Sequence, residues 1–384
     1  MTKTFLLSIS ATLLLSASQT PITFEKTFGG DEDDVARSVI KTDDGYLIAG
    51  KTKSFTSDRD YDAYLIRIDK NGKKIWSKVY GGRDDDEANA ITAYGKDFAF
   101  VGSTESYGND NLSYYFVKLD AKGDAYWQKS YFRGERDYYY GNDIIADGND
   151  LVIAGSERHL SFLSAKINPL LFKIDAEGDM LWHTYVYGKD EDRAKAIIST
   201  DDGYVMSGTT ESYGHGDFDS YIVKLDKQGK KIWFNAFGGK DDETAEDVIA
   251  TKDGFLLVGS TDSFGLNYKN VYVVKTDKDG KKIWERTYGG RYDDEGYAVT
   301  KAHDGGYVIA GRSETRRNGS DLYLLKIDEN GKRKWERTYG GDEDDTAYDI
   351  VSTDDGYLIV GTKQTDLTRH NDVWILKVDL NGKL

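Results

Sequence analysis

Paired carboxylates recur along this chain: Asp33-Asp34, Asp85-Asp86, Glu191-Asp192, Asp242-Glu243, Asp293-Asp294 and Asp344-Asp345. Two adjacent acids can serve as general acid and base, or offer oxygen ligands to a hard cation. Catalysis, however, needs one asymmetric site, whereas a repeated architecture repeats its contacts. A pair that returns at the same place in nearly every unit therefore points to capping of backbone N–H groups or to bridging of neighbouring units. If these turns hold an ion, oxygen donors select Ca2+; no other cofactor is expected.

Other chemistries find less support. The turns Asp69 to Gly72 and Asp277 to Gly280 resemble the start of a calcium loop but lack its downstream glutamate, so they read as hairpin turns. The five histidines, His159, His183, His215, His303 and His370, include no pair four residues apart, which argues against a catalytic zinc site. Neither a Gly-x-Ser-x-Gly elbow nor a phosphate loop is present.

The elements that position these residues come from a repeat. Trp76, Trp127, Trp182, Trp233, Trp284 and Trp335 are spaced 51 residues apart, except for 55 between Trp127 and Trp182. Within one unit, the runs Ala298 to Thr300, Tyr307 to Ala310, Leu322 to Ile327 and Lys334 to Tyr339 are short, rich in β-branched and aromatic residues, and bounded by Gly, Asp and Asn. They predict strands A, B, C and D of a β-propeller blade, counted outward from the axis. Asp-Gly and Asn-Gly dipeptides supply the A-to-B and C-to-D turns.

Phe24-Glu25-Lys26-Thr27-Phe28-Gly29-Gly30 matches Trp335 to Gly341 position by position, while the carboxyl end stops just before another tryptophan would fall. The expectation is an all-β, seven-bladed propeller of four-stranded antiparallel blades, whose last blade is completed by the amino-terminal strand, so that no sheet edge is left open.

Residues 1–18 carry Lys3, an apolar run Phe5 to Leu15 and small residues before position 18, the pattern of a cleaved secretory leader too short to span a bilayer. Residues 19–384 then form a single propeller domain. With no cysteine, disulfides and thiolate metal sites are ruled out, and a bacterial periplasmic or secreted location is expected. The formal charge of −16 excludes a basic footprint for nucleic acid, and no later segment is long and apolar enough for a membrane span. The chain reads as a monomer.

These units resemble those of bacterial exported β-propeller repeat proteins, which carry Trp-x-x-x-Tyr-Gly-Gly, an Asp-Asp pair and Asp-Gly-Gly-Tyr. That resemblance implies a binding or surface module; fold alone does not assign function. A looser similarity to quinoprotein propeller blades rests on Asp226 to Trp233 and implies shared blade packing without a quinone site.

Blade three departs from the rule. Its D-to-A segment reads Tyr131-Phe132-Arg133-Gly134-Glu135-Arg136-Asp137, followed by three tyrosines, and counting from Trp127 puts Arg136 at the first acid position. Its B-to-C loop carries Arg158, His159 and Lys166, and Arg316-Arg317 and Arg369-His370 add positive charge to blades six and seven. Arg133, Arg136, Tyr138, Arg158 and His159 are the expected binding residues, with no catalytic residue assigned, because arginine with tyrosine recognises carboxylates, sugars and protein hot spots. The expected function is non-catalytic binding of a protein or glycan partner through the loop face. The alternative is a carbohydrate hydrolase or lyase with acids at the central opening.

Overall fold

The computed structural model describes residues 20–384 except 109–110, 133, 135–136, 161–164, 187, 266–267, 315–318 and 366–369; the expected leader lies outside the described residues. Seven four-stranded antiparallel sheets follow in chain order: blade one at 34–80, then 86–131, 138–185, 192–237, 247–288 and 294–339, with blade seven at 345–379. Blade seven takes Phe24–Phe28 as its outer strand, in antiparallel register from Phe24 opposite Lys377 to Phe28 opposite Val373. Each strand A contacts strand A of both neighbouring blades, so the seven inner strands enclose a central channel. The fold is a seven-bladed β-propeller closed as the sequence predicts. Among the described residues no helix is long and apolar enough to cross a membrane.

The core lies between blades, in clusters that alternate around the ring. The repeating tryptophans stitch its outer part. Each C-to-D turn ends on a glycine at positive φ, from +66° at Gly382 to +81° at Gly178, where a side chain would be strained. A Cβ there would also strike the indole of the preceding blade: Trp76 at Gly123, Trp127 at Gly178, Trp233 at Gly280 and Trp335 at Gly382. Phe24 does the same at Gly72, so the closing strand reproduces the inter-blade contact as well as the pairing.

Strand C contributes a ring of cations that sequence reasoning passed over. Lys224, Lys275, Lys326 and Lys377 are almost fully buried, yet each reaches the A-to-B turn carboxylate of its own blade, Asp202, Asp253, Asp304 and Asp355. Arg67 pairs with Asp44, and Lys173 with Asp147 and Asp150. Burial of an ammonium is tolerated only with such a partner. In blade two, Lys118 instead donates to the Ala176 carbonyl of blade three at 3.0 Å.

Candidate functional site

The acidic pairs are structural, and the two members differ in task. The first acid of most pairs bridges blades: Asp85 accepts the Tyr61 N–H of the preceding blade at 2.8 Å, Asp293 that of Lys269 at 2.9 Å, Asp344 that of Ser320 at 2.9 Å and Asp33 that of Asn371 at 2.8 Å, whereas Glu191 accepts from Arg193 of its own strand at 3.2 Å. The second is buried and ties its own blade together. Asp34 accepts the Gly30 N–H at 2.9 Å and the Ser54 hydroxyl at 2.6 Å; Asp86 does the same with Gly82 and Ser106.

Second acids also face a strand C carboxylate across the seam. A methyl on Gly81 would lie 1.8 Å from Asp62 Oδ1 and 2.6 Å from Asp86 Oδ2; one on Gly238 would lie 2.0 Å from Asp219 Oδ1 and 2.3 Å from Glu243 Oε2. Burial, helped by the Asp86 charge, pushes Asp62 up to about 7. The C-to-D turn acids have a simpler role, as Asp69 and Asp277 each accept two backbone N–H groups of their own hairpin.

The channel wall carries acids the sequence reading missed. Six of the seven A strands contain a bulge, and the residue after it is Ser38, Ala90, Asp143, Ala196, Ala298 or Asp349; Asp247 holds the same place in blade five. Asp143 accepts the Ile197 N–H, Asp247 that of Val299 and Asp349 that of Val39, each at 2.7–2.8 Å and each from the next blade. Burial pushes them up to about 7, 8 and 6 respectively, and the charge of Asp349 acts on both Asp143 and Asp247.

Blade three is built differently, and its register corrects the sequence alignment. Tyr139 pairs with Glu157 where Asp86 pairs with Thr104 and Asp192 with Thr210. Tyr138 and Tyr139, rather than Arg136 and Asp137, therefore occupy the acidic positions, because the D-to-A loop is two residues longer than its counterparts. The buried acid has moved from strand A to strand B. Tyr139 takes the capping role, accepting the Gly134 N–H at 3.0 Å, and its hydroxyl lies 3.5 Å from Glu157 Oε1; the Tyr185 hydroxyl donates to Glu157 Oε2.

Alternation along the strands then divides the predicted residues. Tyr138 and Arg158 are direct register partners and share a face with Tyr140, whose hydroxyl burial raises while Arg158 and Arg193 of blade four act against that rise. This face looks toward blade four. His159 lies on the other face with Glu157, beside Asp137, its Nδ1 2.8 Å from Asp137 Oδ1. Arg133, Arg136, Arg316-Arg317 and Arg369 lie outside the described residues.

Arg158 stands out against its equivalents. The residue in its place is Glu105, Glu211, Asp262 and Glu314 in four blades, with Lys53 and Gln364 in blades one and seven. The aromatic loop residues on this face are used internally: Phe55 packs on Tyr64, Tyr107 on Tyr115, and Phe264 on Tyr272. A separate hollow of about 320 Å³ at blade six is lined by Arg291, Tyr292, Asp294, Tyr323, Glu336 and Arg337.

No family model matches the chain. It is 25% identical over 189 residues to the regulatory protein FlaEY of Caulobacter vibrioides, a stretch that covers 41% of this chain and 20% of that protein, so the chain spans about a fifth of the relative's length. Among solved structures it is similar to the Trypanosoma rangeli sialidase in complex with sialic acid, with a TM-score of 0.46 at 10% identity over 89% of this chain and 59% of the sialidase. It is similar too to a neuraminidase-like protein of A/little yellow-shouldered bat, with a TM-score of 0.46 at 7% identity over 92% of this chain and 98% of the other. Likenesses this distant tie the chain to neither protein's activity.

Proposed function

We propose that this chain is an exported binding module that recognises an anionic protein or glycan through the loop face at blade three. The observation that carries the reading is the charge reversal at Arg158, set beside Tyr138 and Tyr140 where four other blades place an acid. A cation where most blades place an acid concentrates anionic ligands there and disfavours them at the acidic positions. The repeat's resemblance to bacterial exported propellers and the leader-like amino end support an envelope or extracellular location. In the same reading the chain works as a monomer. Arg158→Glu should abolish capture of the native partner from an envelope fraction at moderate salt, with the melting temperature unchanged. Equal recovery by the variant and the parent would refute the patch.

The rival reading, a carbohydrate hydrolase or lyase, draws on the hollow at blade six, where acids, arginines and aromatics converge. Release of new reducing ends from a glycan substrate, lost in Glu336→Gln, is its test.

A further inference from the structure

We propose that Asp137, Glu157 and His159 form a divalent-metal site at the seam of blades two and three. One ligand atom from each lies within 4.8 Å of the other two. Asp137 and Glu157 are buried, whereas His159 is exposed, so the cluster has a walled side and an open side. That is the arrangement of a site with three protein ligands and a position left for water.

Three features set this cluster apart from the carboxylate pairs at other seams. It contains an imidazole nitrogen 2.8 Å from a carboxylate oxygen, closer than the 3.9 Å that separates His370 Nδ1 from Asp33 at the seam of blades seven and one. Its Glu157 is oriented by the Tyr139 and Tyr185 hydroxyls, one at each oxygen, the kind of outer support that fixes a metal-binding carboxylate. Finally, it is produced by changes confined to blade three: the longer D-to-A loop that brings in Asp137, the exchange of acid and hydroxyl between strands A and B, and a histidine after Arg158. Gly134 lets the backbone approach the cluster closely, as a Cβ there would lie 2.2 Å from Asp137 Oδ2.

The donor set selects the ion. One nitrogen and two carboxylates suit Zn2+ at bond lengths of about 2.0–2.2 Å, and the general affinity order places Zn2+ above Mn2+ for such sites. Ca2+ prefers six to eight oxygens, which three residues do not provide.

The site lies on the opposite face of the blade-three sheet from Arg158, so loss of partner capture and loss of metal are separate results. The intact chain, stripped with a chelator, should bind one equivalent of Zn2+ by isothermal titration calorimetry and gain melting temperature on doing so. His159→Ala, an exposed substitution, should weaken Zn2+ binding at least tenfold without changing the melting temperature of the metal-free chain. Tyr185→Phe should weaken it less. Absence of Zn2+ binding by the parent, binding unaltered in His159→Ala, or equal affinity for Ca2+ would overturn the proposal and leave a His159–Asp137 ion pair only.

Discussion

Replacing Asp247 by asparagine should stabilise the ring at pH 8 and do little at pH 5. Burial raises this carboxyl from 3.8 to about 8, with the charges of Asp349 and Asp143 acting in the same direction. Between those values the folded chain keeps a proton that the unfolded chain has released, so stability falls as pH rises through the window. Asparagine retains the oxygen that accepts the Val299 N–H and cannot ionise, but it gives up the second oxygen, which accepts the Val248 N–H at 2.7 Å, a loss that is the same at both pH values. At 1.36 kcal/mol per unit, a shift of about four units corresponds to roughly 5 kcal/mol at pH 8. Asp247 is only half-buried in a channel open to water, and screening reduces the expected gain to about 2 kcal/mol at pH 8 and under about 1 kcal/mol at pH 5. Urea denaturation of parent and variant at both pH values measures the difference, provided the slope is shared. A stability difference between variant and parent that is the same at both pH values would show that the carboxyl does not change its protonation between them and that the reasoning from burial is wrong.

Two further outcomes probe closure and the seams. Deleting residues 22–28 removes the outer strand of blade seven and exposes the edge of Asn371–Asp379, so the truncated chain should aggregate or lose cooperative unfolding by calorimetry. Gly238→Ala places a methyl 2.0 Å from Asp219 Oδ1 and 2.3 Å from Glu243 Oε2 and should cost about 1–3 kcal/mol. Gly341→Ala meets nothing within 4 Å and should stay within about 0.5 kcal/mol in the same denaturation assay.

Architecture was legible because the repeat exposes it many times over. Trp284, the Asp-Gly turns and the match of Phe24–Phe28 to strand D each recur at a fixed place, and together they place the blades and the closure. The structural use of the acidic pairs was legible for the same reason. What escaped was single and asymmetric. The interval between Trp127 and Trp182 signals added residues but not where they lie, and counting forward from Trp127 put Arg136 where the strands put Tyr138. Asp143, Asp247 and Asp349 stand where the other blades have alanine or serine in the inner strands, a signal available in the sequence but readable only once the bulge is placed. Buried Lys275 looks like any solvated lysine until pairing with Asp253 shows where its ammonium goes.

The closing strand also sets the order in which the molecule can be finished. Glu25 accepts the Trp374 indole N–H from 349 residues away, so the earliest segment of the propeller to be synthesised is the last to find its place. Loop-closure entropy makes such distant pairing slow, and until it occurs the growing ring is an open arc with two bare ends. An arc of this kind can join the ends of another chain as readily as its own. Dilution during refolding, which favours the encounter within one chain, should therefore decide the yield of single rings, while crowding of unfinished chains should produce linked ones.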